Sequence, residues 1–307
     1  MLSDRELHAP LTTLLFAVPT CSSSFQPRPL RRAAKRTQHE GLEEQTLGRL
    51  RRLPLGAAAT TIAFALLAGL GSSCGRSGGA RSSSTAASES ASSLAPIHGS
   101  YSPSIDPANF VTSVDNRYWP LKPGTGFHYQ GVRGRTPQTD DEVVTRQTRR
   151  ILGVRSTVVR DTVSEHGRAV ERTFDWYAQD NQGNVWYMGE DAFELQNGHF
   201  VKASDSWKGG VNGAKPGIIM PANPQPGDSY RQEYYPPGQA LDQAHVLGYS
   251  GPVSVPYGTF KRSLVTSEFS PLEPQTEKKY YVAGVGEIEE RVVKGHREQF
   301  QLVSVTH

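Results

Sequence analysis

The chain runs to 307 residues, 36% of them hydrophobic and 21% charged, with a formal net charge of +3. Residues 1–73 hold nine basic and five acidic side chains, and the remainder holds 24 and 25, so the basicity belongs to the N-terminal stretch and the rest is near neutral. That balance excludes a nucleic-acid binder, which needs a basic footprint. The absence of cysteine after Cys74 excludes a disulfide or a cysteine-ligated metal within residues 75–307.

In chain order, the first informative segment is Leu53–Leu70, LPLGAAATTIAFALLAGL, preceded by Arg49, Arg51 and Arg52 and followed by Gly71-Ser72-Ser73-Cys74. Positive charge, an apolar core and small residues before a cleavage point are the parts of a secretory signal. A cysteine just after the small residues resembles a bacterial lipoprotein signal, although Gly71 occupies the position usually held by Leu. The preferred reading is cleavage and lipidation at Cys74, which tethers the chain to the outer face of the plasma membrane. Its rivals are simple cleavage with release, and an uncleaved anchor, since Leu53–Leu70 lies at the short end of the 17–25 residues that span a bilayer. All three put the later residues outside the membrane. Residues 1–48 are long for a signal's leading region. They are read as a start set too far upstream, with a cytoplasmic leader as the alternative.

Gly75–Ala95, GRSGGARSSSTAASESASSLA, is low-complexity Ser/Ala/Gly and reads as flexible coil with a reach of roughly 25 Å. The expected organisation is a leader over 1–73 with its export signal at 53–73, a tether over 74–102, and a β domain over 103–307.

From Asn109 onward, runs rich in Val, Thr, Tyr, Phe and Trp alternate with Gly/Pro/Asn/Asp turns, the pattern of a β meander. Strands are expected at Gly126–Val132, Glu142–Leu152, Arg155–Val163, Arg168–Gln179, Gly183–Gly189, Phe200–Ala203, Ser229–Tyr235, His245–Val255, Gly258–Ser270, Lys278–Val282, Gly286–Val293 and Glu298–Val305. Helical turns are expected near Pro107–Val114 and Gly238–Ala244. Glu165-His166-Gly167 and Asp180-Asn181-Gln182-Gly183 suit tight hairpins. No sustained 3.6-residue period supplies crossover helices. The expected fold is therefore mainly β: a single large curled antiparallel sheet, half-barrel or barrel-like, with few short helices. Alternation along Thr173–Gln179 puts Phe174, Trp176 and Ala178 on one face and Thr173, Asp175, Tyr177 and Gln179 on the other.

Four blocks together resemble a family of uncharacterised secreted proteins and lipoproteins of actinobacteria and other bacteria. They are Asn109–Val111 with Val114–Leu121; Asp175–Asp180 (DWYAQD) with Gly183–Tyr187 (GNVWY); Val255–Gly258; and Lys279–Gly286 with its YYVAGVG hairpin. The resemblance implies a place in the cell envelope and brings no catalytic residue with it. The last hairpin also looks like those of periplasmic half-barrel carriers of lipids and lipoproteins, a likeness of fold that does not establish function.

No zinc helix, phosphate loop or nucleophile elbow is present. No catalytic residue, metal or cofactor is therefore assigned. Glu190-Asp191 and Glu289-Glu290 are adjacent acids, but neighbours on a strand face opposite ways and cannot serve one substrate. Trp176, Tyr177, Trp186 and Tyr187 are expected to cluster across one hairpin. With Trp207, Met220, Tyr234 and Tyr257 they are the candidate lining of an apolar pocket with polar tips, core packing being the other reading. Trp207–Gly227 is a long loop whose Ile218-Ile219-Met220 is expected to dock back onto the sheet and cover one mouth. The leading functional expectation is an envelope lipoprotein binding a hydrophobic or amphipathic small molecule, or an envelope protein. The alternative is a hydrolase or isomerase using Asp175, Glu190 or His245 in the same cavity.

Overall fold

A computed structural model describes residues 90–272 and 274–307. The expected export signal, Cys74 and the expected tether up to residue 89 lie outside the described residues. Nineteen strands follow one another: β1 (Val114–Asn116), β2 (Trp119–Leu121), β3 (Gly126–Arg133), β4 (Thr136–Ile151), β5 (Val154–Glu165), β6 (Arg168–Gln179), β7 (Val185–Gln196), β8 (His199–Lys202), β9 (Trp207–Lys208), β10 (Lys215–Met220), β11 (Ser229–Arg231), β12 (Glu233–Tyr234), β13 (Gln243–Tyr249), β14 (Val253–Val255), β15 (Gly258–Phe260), β16 (Leu264–Phe269), β17 (Thr276–Val282), β18 (Gly286–Lys294) and β19 (Glu298–Thr306). Fifteen of them form one antiparallel sheet, and β1–β2 and β14–β15 are separate hairpins.

The sheet is a meander because its turns are built for it. Leu152-Gly153, His166-Gly167 and Asn197-Gly198 each hold both residues at positive φ, the twist sense that lets a two-residue turn join right-twisted strands. Strands β3 to β7 follow in order, β16 to β19 follow in order, and β19 pairs β3 to join the two runs. The curled sheet closes where its two edges meet in consecutive residues: β11 pairs β13, and β12 pairs β10. Between them Gln232 turns inward and its N–H donates to the Asp242 carbonyl at 2.8 Å. Six residues, Ser229–Tyr234, thus form a kinked closing segment that bonds to both edges. Gly217 on β10 lets this segment approach, because a Cβ there would sit 2.4 Å from the Gln232 carbonyl carbon.

One end is stoppered by the β1–β2 hairpin. Gln179 Oε1 accepts the backbone N–H groups of Asp115 and Asn116 at 2.9 and 2.8 Å, and Asn116 Nδ2 donates to the Gly183 and Pro221 carbonyls. Asp180 organises the adjoining β6–β7 turn, accepting from the N–H groups of Gln182 and Asn184, the Asn184 amide and the Trp186 indole, all at 2.9–3.0 Å. Two of the four sequence blocks singled out above therefore meet at this end. The Lys279–Gly286 hairpin joins them, since Gly284 N–H donates to the Arg117 carbonyl.

The mainly β, curled antiparallel architecture is the one expected, but several boundaries differ. Strand β4 begins at Thr136, six residues before the expected start, because β3 supplies partners as far as Arg133. The expected strands His245–Val255 and Gly258–Ser270 each divide in two, since Val253–Phe260 leaves the sheet as its own hairpin. Within the expected loop Trp207–Gly227, Lys215–Met220 forms β10 on β7, with Ile218 and Met220 fully buried. The second helical turn lies at Pro236–Gly238, earlier than expected. Ser90–Ser102, read from composition as the end of the tether, packs on the barrel. Ala91, Ala95 and Tyr101 are buried, Ala95 accepts the Arg231 N–H, and the Arg231 guanidinium donates to the Pro96 and Ile97 carbonyls. Apolar side chains sparse enough to look like linker still find a surface when an arginine satisfies their backbone.

Candidate functional site: an acid-lined barrel cavity

The barrel encloses a cavity of about 190 Å³, walled by strands from around the sheet and floored by Trp119, Pro120 and Leu121 of the stopper. For scale, an engineered protein cavity of about 150 Å³ admits a benzene. Aromatic faces from Phe127, Tyr129, Tyr177, Tyr187 and Trp119 form part of the wall. The rest is acidic: among the described residues, twelve carboxylate side chains line the cavity, against one cationic side chain, Lys279. The wall is thus richer in acid than the apolar pocket with polar tips expected from the aromatics.

Strand alternation explains some of these carboxylates. Glu171, Thr173, Asp175 and Tyr177 follow at intervals of two on β6 and all face inward, with Phe174 and Trp176 on the outer face. Bulges explain others. Tyr187 and Glu190 are three apart, an odd spacing that regular pleating sends to opposite faces. A shift of register where Trp176 pairs Gly189 and Tyr177 pairs Tyr187 inserts one residue and returns both to the lumen. Gly189 is suited to this place, with φ of 135° and Trp207 backbone where a Cβ would stand. On β18 the same device lies opposite Tyr280 and Tyr281, so Glu287 and Glu290 both reach Lys279.

Lys279 sits among four carboxylates: its Nζ lies 2.9 Å from Glu290 and 3.7–3.8 Å from Glu268, Glu277 and Glu287. Burial pushes the ammonium down, but Glu287, Glu290, Glu268 and Glu277 outweigh it and hold the group well above the ordinary lysine range. Glu277 moves the opposite way for a carboxyl. Its burial, then Glu290, raises it well above the usual range despite Lys279. Glu277 Oε2 and Ser270 Oγ are buried with no hydrogen-bond partner among the described residues, and both residues line the cavity. Glu268 is fully engaged, accepting from Thr266 and Tyr281 on one oxygen and from Gln232 on the other.

The eight aromatic and Met candidates divide. Tyr177 and Tyr187 line the cavity, stacked at 5.0 Å, and Tyr187 donates to Asp175 at 2.6 Å. Burial, then Asp175, raises the Tyr187 phenol well above its usual range. Trp207 backs Tyr187 edge-on at 5.4 Å and donates to Glu233 at 2.7 Å. Trp176 is on the outer face beneath the Arg149 guanidinium, 4.0 Å from its ring centroid. Trp186 packs against Phe110 at the stoppered end, and Met220 is in the core. Tyr234 stands edge-on to Tyr101. Tyr257 is exposed at the β14–β15 turn beside Phe260. The expected single cluster is split because Trp and Tyr alternate along each strand.

The acids divide similarly. Asp175 and Glu190 are paired across β6 and β7 and both line the cavity. Asp191, next to Glu190, turns outward to Arg149 at 2.9 Å and Lys202 at 2.5 Å. Glu289, next to Glu290, accepts from Gln299 and Gln301. His245 does not line the cavity. Its Nδ1 is 2.6 Å from Ser229 Oγ, and burial, then His98, lowers its imidazole. Sequence reasoning missed Lys279, Glu268, Glu277 and Ser270. The i, i+2 spacings Glu268/Ser270 and Glu277/Lys279 were the available signal.

No protein-family model matches the chain, and no curated protein matches it. The chain is similar in structure to a Bacteroides fragilis protein assigned as exported with a YmcC-like fold: TM-score 0.36 and 11% identity over 62% of this chain and 100% of that one. It is also similar to a chain from Parabacteroides distasonis assigned as a lipoprotein, with TM-score 0.33 and 14% identity over 62% of this chain and 99% of the other. Among the described residues no helix is long and apolar enough to cross a membrane.

Proposed function

We propose that this protein is an exported, membrane-tethered lipoprotein whose barrel binds a small amphipathic cation. The observation that carries the ligand reading is the imbalance inside the barrel, twelve carboxylates facing one lysine. Carboxylates withdrawn from water need protons, hydrogen-bond donors or cations to balance them. Part of the balance comes from Lys279 and part from protonation, as at Glu277. A positively charged guest supplies more, and the aromatic faces of Tyr177 and Tyr187 favour an organic one. The amphipathic ligand expected from sequence thus keeps its apolar body and gains a positive head. Location rests on Arg49, Arg51 and Arg52, the apolar run Leu53–Leu70 and Cys74.

The test is the thermal midpoint of the full-length chain, purified in mild detergent, against n-butylamine, n-butylguanidine, CaCl2 and decanoate at matched ionic strength. A ligand at 100 times its Kd stabilises by about 2.7 kcal/mol, worth roughly 5–11 °C for a domain of this size. A rise with the two organic cations and none with decanoate is expected, and the CaCl2 arm shows how much of it charge alone supplies. A rise with decanoate alone returns the cavity to the hydrophobic carriers. For location, radiolabelled palmitate should enter the wild-type chain and not Cys74→Ala; a Cys74→Ala chain that stays uncleaved and membrane-bound favours the anchor instead.

The pairing of Asp175 with Glu190 in the same lumen favours one second reading, an acid/base enzyme built on these two carboxylates. His245 has no place in it.

A further inference from the structure

The cation reading leaves open where in the cavity a positive group sits and what kind it is. Strands β16 and β17 narrow both. Glu268 and Glu277 are directly opposite in register, and Ser270 follows Glu268 by two residues, on the same side of the wall. Two carboxylates directly opposite one another on paired strands repel; Lys279 relieves this pair from one side, and a proton on Glu277 relieves the rest until a cation takes its place. On the other side Ser270 Oγ and Glu277 Oε2, each residue more than nine-tenths buried, have no hydrogen-bond partner among the described residues. Buried polar atoms without partners are uncommon, because each forfeits its bonds to water.

Resting on the reading above, we propose that the Ser270–Glu277 corner seats a primary ammonium group, carried by a ligand whose short apolar body lies along Trp119, Tyr177 and Tyr187. Three features point to an ammonium rather than a metal ion. Lys279 places such a group against this wall, 2.9 Å from Glu290 and 3.7 Å from both Glu268 and Glu277. The corner offers one hydroxyl and one carboxylate oxygen, which suit the three donors of an ammonium and fall short of the six to eight oxygens calcium takes. Finally, the volume fits a small organic body, and Trp119, which floors the cavity, packs 6.0 Å from Tyr281, itself bonded to Glu268. The stopper, the aromatic faces and the acidic corner therefore belong to one continuous lining.

The experiment is calorimetric titration of the full-length detergent-purified chain with n-butylamine, with CaCl2 and n-butanol as separate arms, on wild type, Ser270→Ala and Glu277→Gln. Circular dichroism checks that each variant is folded. Saturable binding of n-butylamine is expected, with none of n-butanol, weakened at least tenfold in Ser270→Ala and in Glu277→Gln. A Glu277→Gln chain that fails to fold leaves Ser270→Ala to decide. Unchanged n-butylamine affinity in folded Ser270→Ala overturns the assignment of the corner. Binding of calcium without n-butylamine overturns the ammonium and leaves the cation reading standing. Binding of neither cation to wild type overturns both.

Discussion

Replacing Gly217 by alanine adds one methyl group at the place where the barrel closes. That methyl would lie 2.4 and 2.5 Å from the Gln232 carbonyl carbon and oxygen and 2.6 Å from the Arg231 carbonyl oxygen. All three are backbone atoms, so no side chain can swing aside, and the closing segment must retreat by about 1 Å to restore van der Waals contact. Retreat strains the two pairs that join β12 to β10, Lys215 with Tyr234 and Pro216 with Glu233. Overpacking costs about 1–3 kcal/mol, and loosening a backbone hydrogen bond adds about 1. The expected loss is therefore about 3 kcal/mol, or a thermal midpoint lowered by roughly 6–12 °C. Gly251→Ala is the matched control, because no atom lies within 4 Å of a Cβ there and its φ is not positive. Denaturant titration with tryptophan fluorescence reads both variants. A Gly217→Ala chain within about 0.5 kcal/mol of Gly251→Ala refutes the close approach of β10 to the closing segment.

Two further outcomes follow from the geometry. Asp180→Ala removes the acceptor of four hydrogen bonds in the β6–β7 turn and leaves the buried Trp186 indole without its partner. It should cost about 3 kcal/mol or more, read by urea midpoint, and a neutral result would mean that the turn is held elsewhere. Glu277 should also contribute a fall in stability as pH rises above about 4.5, its unfolded value. There the folded chain keeps a proton that the unfolded chain has lost. Lys279, raised in the folded state, is charged in both states over this range, and His245, lowered in the folded state, has the opposite slope below about 6.5 but contributes equally to wild type and variant. Urea midpoints from pH 5 to 8 should decline less steeply in Glu277→Gln than in wild type; equal slopes would show that Glu277 ionises normally inside the barrel.

The sheet was legible because its signals are local: alternation, turn residues at short intervals and the absence of helical period. The turn at His166-Gly167 is an example, with both residues at positive φ where a tight hairpin was expected. The division of β6 into two faces was legible for the same reason, although which of them turns inward was not. What escaped was set by partners far along the chain. Pleating alone puts Tyr187 and Glu190 on opposite faces, and only the bulge imposed by pairing with β6 brings them together. The quartet around Lys279 is gathered from three strands and a second bulge. Strand β10 hid within a Gly/Pro-rich stretch because its pairing is to β7, some 30 residues earlier. The aromatic residues drew attention as a cluster, yet their alternation sent Tyr177 and Tyr187 inward and Trp176 outward.

The docking of Ser90–Ser102 has a mechanical consequence. Ser92 Oγ bonds both Asp228 and the Ser229 N–H, and Arg231 grips Ala95, Pro96 and Ile97. These grips are on or beside the six residues that complete the wall. A pull on the chain upstream of Ser90 is therefore delivered to the barrel's seam before any other stave feels it.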